Sequence, residues 1–236
     1  MHDPQVSPSS EPGRRAHAVC VASAETTCRQ GALTMFVQVI HGQVADAAQV
    51  KAALQRWEQQ LAAGATGWLG STAGVTEDGR FIALARFESA EAARRNSDRP
   101  EQGQWWAETS TLFTGDATFR DSTQVELDLQ GNPDDAGFVQ VIQGRGSDPA
   151  RARELMTQNS DEWAAFRPDI LGSVAVEHDG GGYTVAIYFT SEAQAREGER
   201  KEMPPDLKAQ MDEMNALEVG EPEFFDLKEP WLYTAR

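Results

Sequence analysis

Apolar and polar positions fall along the chain in two blocks of the same design. Phe36 to Ile40 is β-branched or aromatic, as in a largely buried strand. Asp46 then stands at a helix-cap position. Ala47, Val50, Leu54, Trp57 and Leu61 follow it at the spacing that gathers one apolar stripe on a helix. Gly64 and Gly67 end that helix. Strands are predicted over 69–75 and 81–87, joined by Thr76-Glu77-Asp78-Gly79-Arg80 with its Asp-Gly hairpin signature. Ser89 caps a second helix, which breaks near Pro100 and resumes through Trp105 and Trp106 to about Leu112. The alternation of Val125, Leu127 and Leu129 supplies a final strand, with Ala117 and Phe119 allowing an earlier start. The predicted order is β-α-β-β-α-β.

After the polar, turn-rich stretch 130–136 the order repeats. Asp148-Pro149 is an N-cap followed by an N1 proline, and Ala152, Leu155, Met156, Trp163 and Phe166 mark the buried side of the helix it opens. Strands are predicted over 170–176 and 183–189, around the turn Asp179-Gly180-Gly181-Gly182. Ser191 caps a further helix that breaks at Pro204-Pro205 and resumes through Leu207, Met211 and Met214. A last strand lies near 223–227, and Pro230-Trp231-Leu232-Tyr233 forms an apolar terminal segment.

The two blocks share residues as well as order. Phe36-Val37-Gln38-Val39-Ile40-His41-Gly42 recurs 102 residues later as Phe138-Val139-Gln140-Val141-Ile142-Gln143-Gly144. The same shift carries Leu69-Gly70-Ser71 onto Leu171-Gly172-Ser173, and Phe87 and Ser89 onto Phe189 and Ser191. A period this long means duplication of a whole domain rather than a solenoid of short repeats. The domains read as 35–129 and 137–236, with 130–136 as linker and 1–34 as a disordered tail or an upstream start before Met35. The fold class is α+β, as tandem ferredoxin-like repeats. Each makes a four-stranded antiparallel sheet with both helices on one face, leaving the other face bare. A bare apolar sheet is an association surface, so the repeats are expected to pack sheet to sheet as a monomer with an internal pseudo-dimer. Gln38 and Gln140, at equivalent positions on apolar strands, suit a symmetric hydrogen bond across that interface.

Charge and composition narrow the partners. A formal charge of −16 argues against nucleic acid, which needs a clustered basic surface. No apolar run approaches the roughly 20 residues of a membrane helix. Cys20 and Cys28 both precede the first repeat, leaving the core without a thiolate site, as suits the reducing cytoplasm. No phosphate-binding loop, dinucleotide fingerprint, serine elbow or metal-binding histidine pair is present, so neither a cofactor nor a metal is expected. His41 and His178 each stand alone in sequence.

The topology, its duplication and the strand Phe-Val-Gln-Val-Ile directly after Met35 resemble the dimeric α/β-barrel superfamily. So does Arg94-Arg95-Asn96-Ser97-Asp98-Arg99-Pro100-Glu101-Gln102, followed by Trp105-Trp106. Within the superfamily the chain is most similar to the antibiotic biosynthesis monooxygenase-like proteins in their fused, two-repeat form, from Met35 to about Tyr233. The resemblance implies an intramolecular dimeric α/β barrel and a ligand pocket between sheet and helices. It also implies cofactor-independent oxidation of a small aromatic or polyketide-like compound. Haem-degrading relatives rely on a helix-borne histidine that neither second helix here carries.

Comparison at the common shift places the candidate ligand-binding residues in the first repeat. Trp105 and Trp106 face Leu207 and Lys208; Arg95, Asn96 and Arg99 face Glu197, Gly198 and Lys201; Arg86 faces Tyr188. Trp106 would stack on an aromatic ligand, with Arg95 or Arg99 stabilising a phenolate or enolate able to pass an electron to O₂. The same residues also read as packing: core tryptophans, and arginines at helix ends. The function set against oxidation is non-enzymatic, a small-molecule-binding or structural pseudo-dimer.

Overall fold

A computed structural model describes residues 35–235; the tail expected over 1–34 lies outside them. The first repeat runs β1 (Phe36–Gln43), α1 (Ala47–Gln60), β2 (Trp68–Val75), β3 (Arg80–Phe87), α2 (Ala90–Ser97), α3 (Pro100–Ser110), β4 (Thr118–Ser122) and β5 (Val125–Leu129). The second runs β6 (Phe138–Arg145), α4 (Pro149–Thr157), α5 (Ser160–Phe166), β7 (Ile170–Glu177), β8 (Gly182–Phe189), α6 (Glu192–Glu199), α7 (Pro205–Ala216), β9 (Glu223–Leu227) and β10 (Trp231–Thr234).

The expected caps form. The Asp46 carboxylate accepts from the backbone N–H groups of Ala48 and Gln49 at 2.9 and 3.2 Å, and Ser89, Asp148 and Ser191 cap α2, α4 and α6 in the same way. Pro100 and Pro205 sit at the first turns of α3 and α7, where a missing N–H costs nothing.

Among the described residues ten strands form two antiparallel sheets of five, ordered β10-β2-β3-β1-β4 and β5-β7-β8-β6-β9. The ladders do not close into one continuous barrel. Instead, each sheet takes its last strand from the other repeat. β4 completes the first repeat's own sheet, and β5, expected there as the final strand, crosses to pair with β7. The apolar segment after Pro230 is the reciprocal strand β10, paired with β2. The crossing is pinned where the Ser122 hydroxyl donates to the Glu177 carbonyl at 2.6 Å and Glu177 N–H donates to the Gln124 carbonyl at 3.0 Å.

Alternation sorts each strand into two faces. Val37, Val39, Ile82 and Leu84 from one sheet meet Val139, Val141, Val174, Val176, Phe225 and Leu227 from the other in a single buried cluster. Each such side chain contributes roughly 1.5–3 kcal/mol on burial, so neither sheet tolerates water on this face. The sheets approach closely: a Cβ on Gly74 would lie 3.0 Å from Leu227. Thr72 and Tyr188 join hydroxyls across the interface at 2.6 Å.

Two local expectations are corrected. Gln38 and Gln140 face the helices, and each bonds an aspartate beside it in its own sheet, Asp121 at 2.9 Å and Asp226 at 2.8 Å. Even positions of β1 and β6 point away from the interface, so the two glutamines never meet. The helix expected to run on from Asp148 to Phe166 is two helices, broken at Asn159, whose backbone is left-handed (φ 54°). Asparagine is among the few residues that adopt this conformation readily. Its side chain donates to Gln210 Oε1, which also accepts from Trp163 Nε1, both at 3.0 Å.

Because the sheets cover one another, the protein is expected to sediment as a monomer at micromolar concentration. A stable dimer in equilibrium sedimentation would show that an apolar face had been left uncovered.

Candidate functional site

The helix-facing side of the second sheet carries a cavity of about 610 Å³, within the roughly 300–1,000 Å³ usual for small-molecule sites. One register row, Phe224, Ile142, Val185, Ala175 and Glu126, crosses its floor from β9 to β5. Its roof is Pro149, Ala152, Arg153 and Met156 of α4 with Met211, Met214 and Asn215 of α7. The lining is mainly apolar, and three methionines provide a roof that adapts to ligand shape. Thr123, Gln124, Val125 and Glu126 come from the first repeat, so the exchanged strand builds one wall.

The same row in the first sheet reads Phe119, Ile40, Ala83, Ala73 and Trp231. Trp231 takes the register position of Glu126 and is buried against Val50, Phe81 and Ala83. Phe113, which the 102-residue shift carries onto Asn215, meets Phe81 edge to face at 5.4 Å. Trp106 packs edge-on to Phe119 at 5.1 Å. Aromatic rings thus occupy positions that in the second repeat hold glutamate, asparagine and lysine.

Polar groups cluster at one end of the cavity. The Tyr183 hydroxyl donates to Glu218 Oε1 at 2.6 Å, while Glu218 Oε2 is buried without a hydrogen-bond partner. Arg153 reaches Glu177 at 2.5 Å and Glu126 at 3.0 Å. Burial, and then the neighbouring Glu218 carboxylate, hold Tyr183 protonated well above the usual phenol range near 10. A more polar depression of about 420 Å³ adjoins along Thr123, Gln124, Glu177 and Gly181. On its wall His178 Nε2 meets Thr184 Oγ1 at 2.9 Å and Nδ1 is buried without a partner. Burial first, then Arg120, lowers the pKa of His178 and so favours the neutral ring.

All three tyrosines of the chain are shifted upward, Tyr188 and Tyr233 chiefly by burial as well. A raised folded-state pKa stabilises the fold below the unfolded value and loses that contribution as pH rises through the folded value. Absorbance at 295 nm is therefore expected to show little tyrosinate at pH 10, with the signal rising above it as the fold is lost. A full three-tyrosine transition centred at pH 10 in folded protein would contradict this.

The structure brings none of the six candidate residues to the second-repeat cavity. Trp105 donates from Nε1 to the Ala53 carbonyl at 3.0 Å, and its ring centroid lies 6.1 Å from that of Trp106. Arg99 donates to the Leu61 carbonyl at 3.1 Å and to Asn96 Oδ1 at 2.9 Å, closing the end of α1. Arg95 is exposed. Arg86 pairs with Val37 on the sheet-to-sheet face, and its Nε is buried without a partner.

No family model matches the sequence, and no curated protein matches it. Solved structures do. A protein from Lactobacillus acidophilus, provisionally described as a monooxygenase, aligns with a TM-score of 0.64 at 11% identity over 85% of this chain and 96% of its own. One similarly described from Fusobacterium nucleatum gives 0.66 at 10% identity over 85% and 94%. An anthrone oxidase-like protein gives 0.60 at 10% over 86% and 92%. Their fold is the fold of this chain. At such identities the likeness covers both repeats as architecture and leaves the chemistry to the residues of this site. Among the described residues no group of three or more potential ligands is placed to hold a metal, and no helix is long and apolar enough to cross a membrane.

Proposed function

We propose that the second-repeat cavity is the ligand site and that the protein carries out cofactor-independent oxidation of a small aromatic or polyketide-like compound there. The observation that carries this reading is an apolar chamber with one incompletely bonded carboxylate, Glu218, at its polar end. Glu218 would take a proton from an activated C–H of the substrate, with the Tyr183 hydroxyl steadying its other oxygen. The substrate carbanion passes one electron to O₂, and the radical pair combines to a peroxide. Return of the proton gives the hydroperoxide, and loss of water leaves a carbonyl, so that R₂CH₂ and O₂ yield R₂C=O and H₂O.

A second reading, binding without turnover, is favoured by the acidic wall. Glu126, Glu177 and Glu218 outnumber Arg153, an arrangement that opposes build-up of substrate anion. Oxygen uptake with anthrone decides between them. The oxidation reading expects one O₂ consumed per anthrone, with loss of roughly 10²-fold or more in Glu218→Gln. Saturable anthrone binding with no O₂ uptake above the spontaneous rate would leave only the binding reading.

A further inference from the structure

We propose that the second-repeat cavity selects ligands whose polar end donates a hydrogen bond and carries no negative charge, and that Glu218 receives that donor. The inference rests on the reading of the cavity as a ligand site and adds the nature of the ligand's head group.

The ionisable groups on the cavity wall are Glu126, Arg153, Glu177, Tyr183 and Glu218. Arg153 is the only cation among them, and it is already held by Glu177 at 2.5 Å and Glu126 at 3.0 Å. An incoming carboxylate would have to break that pairing and face three carboxylates in an apolar chamber, where desolvated like charges repel strongly. The Tyr183 hydroxyl is likewise committed, to Glu218 Oε1 at 2.6 Å. Glu218 Oε2 is different: it is a buried acceptor with no donor. An unmet buried acceptor of this kind is unfavourable until something donates to it. The terminal torsion of a glutamate is soft, so a turn of the carboxyl plane presents this oxygen to the chamber. A hydroxyl or an ammonium on an otherwise apolar body satisfies it; an ether or a carboxylate does not. The methionine roof sets few limits on the body, so discrimination falls on the head group.

Four naphthalene probes test this by calorimetric titration of the full chain at pH 7: 2-naphthol, 2-(aminomethyl)naphthalene, 2-methoxynaphthalene and 2-naphthoate. The two donors are expected to bind roughly tenfold or more tighter than the methyl ether, the scale of one charge-assisted hydrogen bond, with naphthoate weakest. In Glu218→Gln the ammonium probe should lose most and naphthoate should gain. The ranking in the unaltered protein decides even if that variant fails to fold. Naphthoate binding as tightly as naphthol, or the ether matching the alcohol, overturns the inference while leaving the cavity as a ligand site. The expected ranking without any O₂ uptake sustains it and removes only the oxidation chemistry. Failure of all four probes to bind overturns both.

Discussion

Trp231→Ala is expected to destabilise the protein by about 3–5 kcal/mol, the usual cost of deleting a large buried aromatic side chain. The residue comes from the last strand of the second repeat, yet it is 7% exposed in the helix-side core of the first, against Val50, Phe81 and Ala83. Its loss opens the first repeat from the side and loosens the exchanged strand that ties the two sheets together. The counterpart change, Glu126→Ala, removes only a half-exposed ion pair with Arg153 and is expected to shift stability far less. Urea unfolding of both variants provides the check. Equal losses at the two positions would show that the repeats are not filled and hollow as described.

Filling the second cavity is expected to weaken binding roughly tenfold to hundredfold while the fold persists. Ala175 lies mid-floor between Val185 and Glu126, and a phenyl ring built there enters the chamber rather than a packed core. In Ala175→Phe a ligand must compete with the ring. Overpacking of about 1–3 kcal/mol then falls on the complex, a roughly tenfold to hundredfold loss of affinity for 2-naphthol. Melting temperature should stay level or rise, since the free chamber has room. Unchanged affinity in a folded Ala175→Phe variant would place the ligand elsewhere.

The architecture was legible because strand and helix periods, four side-chain caps and the helix-breaking prolines all act locally, and the repetition at one shift supports the assignments from the first strand of each repeat to its second capped helix. The exchange of β5 and β10 was not. Val125, Leu127 and Leu129 alternate as a strand does, and alternation says nothing about which sheet receives it. The single final strand allowed over 117–129 is two strands parted at Thr123 and Gln124, and what holds that break is Glu177, 55 residues beyond Ser122. The second-repeat cavity was not legible for a related reason. At the common shift Trp105 and Trp106 stand out as rings gained by the first repeat, whereas the cavity answers to bulk lost from the second, as from Phe113 to Asn215. The decisive difference, Trp231 against Glu126, is hidden because β9 and β10 have drifted from the common shift: Leu227 and Ser122, not partners at 102 residues, stand opposite Val139 and Val37. Tyr183 and Glu218 meet only through the pairing of β6 and β8 beneath α7, a tertiary contact no sequence period encodes.

One repeat of this duplicated fold carries the cavity proposed to take the ligand, while the other sets aromatic rings at the matching positions. The chain contains six methionines, and Met156, Met211 and Met214 line the cavity while Met35 and Met203 do not. Methyl resonances of ¹³C-methyl-methionine protein, assigned by single substitutions and followed during titration with 2-naphthol, report on which repeat takes the ligand. Saturable shifts at Met156, Met211 and Met214, with Met35 and Met203 unmoved, are the predicted result. Binding that leaves those three methyls in place and instead moves the indole N–H signals of Trp105 and Trp106 would contradict it.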